Sequence, residues 1–252
     1  MTKGFDCATP LSTSVAAAFK ADGYDFVVRY IDTNQSSWKR LSSKEAQIIS
    51  DAGLVIISVF ERMGDRASIN GLRGATDGLV ALQAAQYLGQ PEGSTIYFAV
   101  DYDAQPSDME SIELYIRAAS VATPKYSTGI YGSYAVIEEM KKRGACSHFW
   151  QTYAWSTKLQ SSSIQIYQYR NNISVHGIGV DLNISYGNEG WWNTVPLIKK
   201  ADADLIIGLL GEAYRQGVTK ITLPDGTVKT VDQTEIHRLA NVQRTASGQP
   251  TT

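Results

Sequence analysis

The segment that decides the fold is Thr95-Ile96-Tyr97-Phe98-Ala99-Val100-Asp101-Tyr102-Asp103, an apolar and aromatic run that closes on two acids. A short run rich in β-branched and aromatic residues predicts a buried strand. It is followed by a helix-like stretch, Ser107 to Val121, and then by another strand-like run, Thr128 to Ser133. Strand, helix and strand in this order predict a parallel pair joined by a right-handed crossover.

The same alternation extends in both directions along the chain. The strand-like runs are Gly4–Cys7, Phe26–Asp32, Leu54–Glu61, Thr95–Asp103, Thr128–Ser133, His148–Trp155, Ile164–Arg170 and Gly177–Ile184. The helix-like stretches between the first six are Ser12–Asp22, Ser43–Asp51, Ala75–Leu88, Ser107–Val121 and Ser133–Lys142. Eight strands of this kind close most economically as a barrel.

The alternation of strands and helices stops after the sixth strand, because the links Ser156–Ser163 and Asn171–His176 are too short to contain a crossover helix. We therefore predict an α/β fold, a modified TIM-like barrel of five βα units followed by three strands. The sequence leaves the direction of the last strand open.

A second unit is predicted after the barrel. Ala201–Gln216 is an amphipathic helix, Ile221–Val228 is a hairpin with an Asp225-Gly226 turn, and Val231–Thr245 is another helix. We expect a barrel over residues 1–195 and a small C-terminal helix–hairpin–helix module over residues 196–252. A unit of this size rarely has a self-sufficient core, so we expect the module to self-associate or to dock through apolar contacts.

Composition excludes several classes of function. The 23 basic and 25 acidic residues give a net charge of −2, without the basic surplus of a nucleic-acid-binding protein. The longest apolar runs are far shorter than the roughly 20 residues that span a bilayer, so no membrane insertion is expected. Two Cys and three His cannot form a disulfide framework or a Cys/His zinc site, and we expect no metal and no cofactor. The N-terminus lacks the pattern of a secretory signal, which predicts synthesis in the cytoplasm.

Acidic residues fall at the ends of several predicted strands. In the deciding segment, alternation puts Tyr97, Ala99, Asp101 and Asp103 on one face, which we expect to point into the barrel. Functional residues of such barrels gather at the C-terminal ends of the strands. The same reasoning adds acids from three other strands: Asp6, Glu61 and Asp181.

We expect these acids to meet at the mouth of the barrel, since strands one and eight become neighbours on closure and strand four lies opposite. Like charges in a partly dry cleft repel, so at least one carboxyl should keep its proton to a higher pH than a free Asp. One protonated acid and one carboxylate are the pair that glycoside hydrolysis requires. Any single Asp has a simpler role open to it, such as capping a helix or pairing with Arg29, but their convergence favours function.

Side chains suited to sugar binding accompany the acids. Tyr131 and Trp155 belong to a dense set of aromatic residues on the later strands, and such rings offer flat faces for stacking on sugars. Gln168 and Asn183, at inward strand ends, can hydrogen-bond an acetamido group or a hydroxyl, although a structural bond to a neighbouring loop is equally open. The candidate substrate-binding residues are therefore Glu61, Arg29, Tyr131, Trp155, Gln168 and Asn183.

Five short motifs follow one another along the chain: Gly4-Phe5-Asp6, Phe26-Val27-Val28-Arg29-Tyr30, Ile96 to Asp103, Gly129-Ile130-Tyr131-Gly132-Ser133 and Gly179-Val180-Asp181-Leu182-Asn183. Together and in this order, they resemble the glycoside-hydrolase-like domain family that is related to the family 25 lysozymes. The resemblance covers about residues 1–195. It implies the modified barrel described above, bacterial cell-wall peptidoglycan as the substrate, and a phage or bacterial endolysin that reaches the wall after release from the cytoplasm.

The resemblance also implies roles for the acids. Family 25 lysozymes carry Asp on strand one, Asp-x-Glu on strand four and Asp on strand eight, which match Asp6, Asp101 with Asp103, and Asp181. Asp103 would then be the proton donor, Asp101 and Asp6 would position it, and Asp181 would be the partner carboxylate. Asp103 departs from the family pattern because it is one methylene shorter than the Glu of the lysozymes.

Three functions remain open from the sequence. The first is a lysozyme-like glycosidase, and the second is a glycan-binding barrel without turnover. The third is a structural component of a particle, in which the C-terminal module mediates assembly and the barrel serves as scaffold.

Overall fold

The computed structural model describes residues 1–69, 71–194, 200–217, 219–222 and 227–246. The chain divides into two compact units, Met1–Thr194 and Val195–Thr252. This division falls one residue before the boundary expected from the sequence.

The first unit is a closed barrel of eight strands, as predicted. The strands are β1 (Thr2–Asp6), β2 (Phe26–Tyr30), β3 (Val55–Phe60), β4 (Thr95–Ala99), β5 (Ser127–Gly132), β6 (His148–Thr152), β7 (Ile166–Val175) and β8 (Ile178–Ser185). Each pair from β1–β2 to β6–β7 is parallel, whereas β8 is antiparallel to both β7 and β1. The barrel therefore closes through an antiparallel strand, which answers the question that the sequence left open.

Helices join the first six strands, and three of them begin after a capping serine. They are α1 (Thr13–Ala21), α2 (Ser43–Asp51), α3 (Arg66–Ile69), α4 (Arg73–Leu88), α5 (Met109–Ala122) and α6 (Tyr134–Lys142). The hydroxyls of Ser12, Ser42 and Ser133 accept hydrogen bonds from backbone N–H groups in the first turns of α1, α2 and α6. The one-turn helix α3 was not predicted.

Alternation along the strands separates two cores. Phe26, Val28, Val59, Tyr97 and Trp150 belong to a buried cluster that fills the barrel, and the residues between them pack outward under the helices. Large rings fit inside because glycines stand beside them. A Cβ at Gly4 would lie 2.3 Å from the Phe26 ring, and one at Gly129 would lie 2.4 Å from the Tyr97 ring.

Arg29 lies on the outer face of β2, and its predicted role in substrate binding is wrong. Its side chain is fully buried and forms a two-pronged ion pair with Glu45 on α2, with N–O distances of 2.8 and 3.2 Å. It also donates to the Cys7 carbonyl, while Glu45 accepts from the Leu11 N–H at 2.9 Å. Because Phe26 and Val28 point inward, the same alternation turns Arg29 outward, where it fixes the loop that follows β1.

The end of the barrel opposite the mouth is sealed by the segment after β8. Trp192 is buried, exchanges backbone hydrogen bonds with Ile56 at the start of β3, and donates its indole N–H to Ser58 at 2.9 Å. Tyr97 donates its hydroxyl to the Glu189 carbonyl from inside the barrel. These contacts belong wholly to the first unit.

The second unit contains the helices and hairpin predicted from the sequence, with the hairpin turn Asp225-Gly226 outside the described residues. Its elements are α7 (Lys200–Arg215), β9 (Lys220–Thr222), β10 (Val228–Thr230) and α8 (Gln233–Ala246). Ile236 and Ala240 on α8 are buried, whereas Leu205 and Leu209 on α7 are exposed. In the described parts of the chain, no helix combines the length and the apolar character needed to cross a membrane.

We expect Arg29→Ala to lower the free energy of unfolding by about 3–5 kcal/mol, because removing one partner leaves Glu45 charged and buried. Chemical denaturation monitored by circular dichroism measures this effect. The matched control is Lys125→Ala, which breaks the exposed Lys125–Glu92 pair and should leave the midpoint nearly unchanged. Equal effects of the two substitutions would contradict the structural role assigned to Arg29.

Candidate active site

A cavity of about 310 Å³ opens at the mouth of the barrel, and we call it the acid pocket. Its polar and aromatic lining consists of Asp6, Glu61, Asp101, Asp181, Tyr30, Tyr131, Trp150, Trp155, Gln168, Asn171 and Asn172. Seven of the residues expected at the site from the sequence are therefore brought together: Asp6, Glu61, Asp101, Asp181, Tyr131, Trp155 and Gln168. Asp103, Asn183 and Arg29 do not line it.

Asp6 and Asp181 are held side by side by the sheet itself. They are directly paired residues in the antiparallel ladder between β1 and β8, and both line the acid pocket. Side chains of directly paired residues project to the same face of a sheet and lie close together. The pairing of β8 with β1 thus brings two carboxyl groups close together.

Two buried amides hold Asp6. Its Oδ1 accepts hydrogen bonds from Gln168 Nε2 at 2.9 Å and from Asn183 Nδ2 at 2.7 Å. Gln168 Nε2 also lies 3.3 Å from Asp181 Oδ2, so a single amide joins the two acids. The carbonyl of Gln168 accepts from the hydroxyls of Tyr131 and Thr152, and these two bonds fix which end of the amide faces the acids.

Burial and neighbouring charge keep a proton on Asp6 to neutral pH. Loss of water around this carboxyl and then repulsion from Asp181 raise its pKa from 3.8 to about 7. The hydrogen bonds from Gln168 and Asn183 oppose this rise, and the Asp101 charge adds to it. Among the described residues none donates to Asp6 Oδ2, which leaves this oxygen free to carry the proton. This direction is the one expected from the sequence for an acid in a crowded, partly dry cleft.

The neighbouring acids are shifted in the same direction. Burial raises the pKa of Asp101, and the Glu61 charge raises it further. Burial also raises the pKa of Asp181. The backbone N–H of Asn172 donates to Asp181 Oδ1 at 2.7 Å and lowers this pKa in part. The pocket therefore resists carrying all of its charges at once.

A close approach of two backbones fixes Asp101. Its N–H donates to the Gly64 carbonyl at 3.0 Å, and a Cβ at Gly64 would lie 2.6 Å from the Asp101 carbonyl. Only glycine permits this contact, which ties the loop after β3 to the loop after β4. Glu61, from the same β3 loop, is paired with Lys39 at 2.7 Å.

Asp103 is not in the pocket, so its predicted role as proton donor is wrong. Strand β4 ends at Ala99, and Asp103 lies exposed in the following loop, where its carbonyl accepts from the Gln105 side chain. The alternation that places Tyr97 and Ala99 inward extends as far as Asp101, which lines the pocket. The chain then bends at Tyr102, and Asp103 falls outside the pocket.

Asn183 is a buried residue that positions Asp6. It is completely buried, donates to Asp6, and accepts from the Trp150 indole N–H at 2.8 Å. Its amide is therefore satisfied by protein groups, and the expected contact with substrate is wrong. Of the two roles left open from the sequence, Asn183 has the structural one.

Sequence reasoning missed Tyr30, Asn171 and Asn172. The two asparagines lie where β7 departs from regular pairing with β8, between Arg170 and Ile173. Asn172 has a φ of 57°, a left-handed conformation that asparagine tolerates better than most residues. The Asn-Asn pair stands at the start of the predicted link Asn171–His176, which the structure includes in β7. Bulges of this kind often redirect residues next to active sites.

Trp155 stands on a strained but well-anchored loop. It has a φ of 52°, Thr157 a φ of 49° and Lys158 a φ of 66°, all unfavourable for residues with a Cβ. Ser156 anchors this loop, since its hydroxyl donates to the Thr152 carbonyl and accepts from the Tyr134 N–H at 2.9 Å. The Trp155 ring is 42% exposed and lines the acid pocket.

The pocket's chemistry is that of carboxyl groups, amides and aromatic rings. No three or more side chains of His, Cys, Asp or Glu are grouped to hold a metal ion in the parts of the chain that the structure describes. The acids instead share hydrogen bonds through Gln168. This arrangement can deliver a proton, stabilise a positive charge and bind a polar ring.

Comparison with known proteins identifies the same fold. The uncharacterized protein YbfG of Bacillus subtilis (strain 168) is 34% identical over 143 residues, which are 50% of this chain and 20% of that protein. The Tat-secreted protein Rv2525c of Mycobacterium tuberculosis, solved with L-tartrate, superposes with a TM-score of 0.68 at 22% identity, covering 76% of this chain and 98% of that one. The catalytic domain of endolysin ply40 from Listeria monocytogenes bacteriophage P40 has a TM-score of 0.50 at 14% identity, and the superposition covers 75% of this chain and 95% of that one.

The chain thus spans about a fifth of the length of YbfG, whereas its barrel matches nearly the whole of Rv2525c. A family model describing the Rv2525c-like, glycoside hydrolase-like domain matches residues 17–192. That match covers most of the barrel and well over half of the sequence, and the chain belongs to the Rv2525c-like family of glycoside hydrolase-like domains.

Proposed function

We propose that this protein is a glycoside hydrolase that cleaves the glycan of bacterial cell-wall peptidoglycan. The observation that carries the proposal is the direct pairing of Asp6 with Asp181, with Asp101 in the same pocket, an arrangement in which the pKa of Asp6 is raised to about 7. Glycoside hydrolysis needs such a pair of unlike carboxyl groups. The substrate class is taken from the shared fold of a phage endolysin, and the site of action is then the cell wall after release of the protein.

In this proposal Asp6 replaces Asp103 as proton donor. Asp6 Oδ2 delivers its proton to the oxygen of the glycosidic bond as the bond from that oxygen to the anomeric carbon breaks. The negative charge left on Asp6 is stabilised by the Gln168 and Asn183 amides, which already donate to its other oxygen. Hydrogen bonds that favour the charged form are needed at this moment, and they are in place before the reaction begins.

A carboxylate completes the reaction. Asp181 or Asp101 stabilises the positive charge that develops on the sugar ring. Water attacks the anomeric carbon, either directly or after the acetamido oxygen of the substrate has done so, and gives its proton to the Asp6 carboxylate. Both acids line the same pocket as Asp6. Trp155, whose ring is 42% exposed, offers a flat aromatic face for the sugar, whereas the buried Tyr131 orients Gln168.

A second candidate function is glycan binding without turnover. The position of Asp103 outside the pocket favours it, because the acid that matches the catalytic Glu of family 25 lysozymes is then missing from the site. The two functions differ in one observable, the appearance of new reducing ends.

We expect the protein to release reducing ends from purified peptidoglycan, and Asp6→Asn to lower this rate by at least about 10²-fold, as for the loss of a general acid. Stability should be retained or increased, because the amide removes a buried charge beside Asp181. The matched control is Asp103→Asn, an exposed carboxyl outside the pocket, which should retain full activity.

The products are analysed by mass spectrometry, which reports cleavage and bond type together. Full activity of Asp6→Asn would remove Asp6 from the mechanism, and loss of activity in Asp103→Asn would return that residue to it. Binding of glycan by the wild-type protein with no new reducing ends would leave the second candidate function.

We propose in addition that the C-terminal unit self-associates or docks through apolar contacts. Leu205 and Leu209, one turn apart on α7, are both exposed, as is Val242 on α8. A chain that ends after Thr194 should keep a cooperative unfolding transition, because Trp192 and its contacts with β3 are retained. Its mass by light scattering should fall to that of a monomer if the full chain assembles through this unit. Failure of the shortened chain to fold would show that the unit belongs to the core of the barrel.

A further inference from the structure

A second cavity of about 300 Å³ adjoins the acid pocket, and we call it the Trp38 pocket. The two cavities share four lining residues: Asp6, Tyr30, Asn172 and Asp181. They therefore adjoin at the paired acids, and we call the two cavities together the groove. The acids lie within the groove and not at its end.

The two cavities have their exposed tryptophans on opposite sides of the barrel. Trp155 lines only the acid pocket and follows β6, whereas Trp38 lines only the Trp38 pocket and follows β2. In a closed barrel of eight strands, β2 and β6 lie four strands apart and face each other across the axis. The Asp6–Asp181 pair thus lies between two aromatic platforms.

Trp38 is 68% exposed, although the loop that carries it is anchored on both flanks. Lys39 pairs with Glu61 at 2.7 Å and places its ammonium 4.1 Å from the centre of the Tyr30 ring. On the other flank, Arg62 donates two hydrogen bonds to Asp32, at 2.7 and 3.0 Å. Single exposed tryptophans are common on protein surfaces, but this one is presented by a fixed loop at the rim of an acidic groove.

The floor of the Trp38 pocket is fixed as well. It is formed by Cys7, Ala8 and Thr9, the residues that follow Asp6. The buried Arg29–Glu45 pair holds both ends of this turn, through the Cys7 carbonyl and the Leu11 N–H. A rigid floor and an anchored platform lower the ordering cost of binding a ligand.

We infer that the Trp38 pocket is a second sugar subsite, on the far side of the paired acids from Trp155, so that the protein binds a glycan chain across Asp6 and Asp181. The inference rests on the proposed function and adds to it that the bond attacked lies within a chain. Trp38 supplies the stacking face, and the turn at Cys7–Thr9 supplies the surface beneath the sugar. A ligand confined to the acid pocket gains nothing from Trp38.

Binding of β-1,4-linked N-acetylglucosamine oligomers, measured by titration calorimetry, tests the inference. Asp6→Asn serves as the parent protein so that the chains stay intact. We expect the tetrasaccharide to bind the parent about tenfold more tightly than the disaccharide, a gain of the size expected for one aromatic platform. Adding Trp38→Ala should abolish this gain and leave the affinity for the disaccharide unchanged. Trp38→Phe, which keeps an aromatic face, should retain most of the gain.

The matched control is Trp191→Ala, which removes a tryptophan that is 51% exposed and lies beyond the end of β8, away from the mouth. It should alter neither affinity. A length-dependent gain that survives Trp38→Ala would overturn the inference, as would equal weakening of both ligands or the absence of any gain in the parent. Failure of the wild-type protein to cleave peptidoglycan, with the length dependence intact, would overturn the hydrolase proposal alone.

Discussion

The antiparallel pairing of β8 with β1 is the constraint on which the site depends. In a barrel closed by this pair, Asp6 and Asp181 become direct neighbours across a ladder, with little water around Asp6. Loss of water around Asp6 raises its pKa, and repulsion from the Asp181 charge raises it further, to about 7. The chemical character of the pocket is therefore a consequence of strand direction.

The remaining features of the mouth make this crowded arrangement tolerable. Gln168 faces both acids because its carbonyl is already bound by Tyr131 and Thr152, and Asn183 is held in turn by Trp150. Each amide is thus oriented by a partner that does not itself touch Asp6. On the outer side of the barrel, Arg29 and Glu45 fix the turn after Asp6, which joins the stability of the α1–α2 region to the geometry of the site. A buried ion pair of this kind contributes little net stability by itself, but it specifies one conformation of the loop.

Alternation and strand order predicted the barrel and most of the acids. The inward positions of Tyr97 and Ala99, and the convergence of Asp6, Glu61, Asp101 and Asp181, follow from a period of two and from closure of the sheet. Asp103 failed because it lies four residues beyond the end of β4 and after a bend at Tyr102, whereas Asp101 lies only two residues beyond that strand. Arg29 failed because the same period, with Phe26 and Val28 inward, places it on the outer face of β2. Asn171 and Asn172 enter the site through a bulge, which depends on pairing between β7 and β8 and is not encoded by either strand alone.

The central claim is that the pocket holds a protonated carboxyl at neutral pH, and a titration of that carboxyl tests it most directly. Protein labelled with ¹³C at the side-chain carboxyls of aspartate can be followed by NMR as a function of pH, with the Asp6 resonance assigned from its loss in Asp6→Asn. The structure predicts that the Asp6 signal titrates with a midpoint near 7. A midpoint near the ordinary aspartate value of about 4 would contradict the claim, because Asp6 would then carry no proton to deliver at neutral pH.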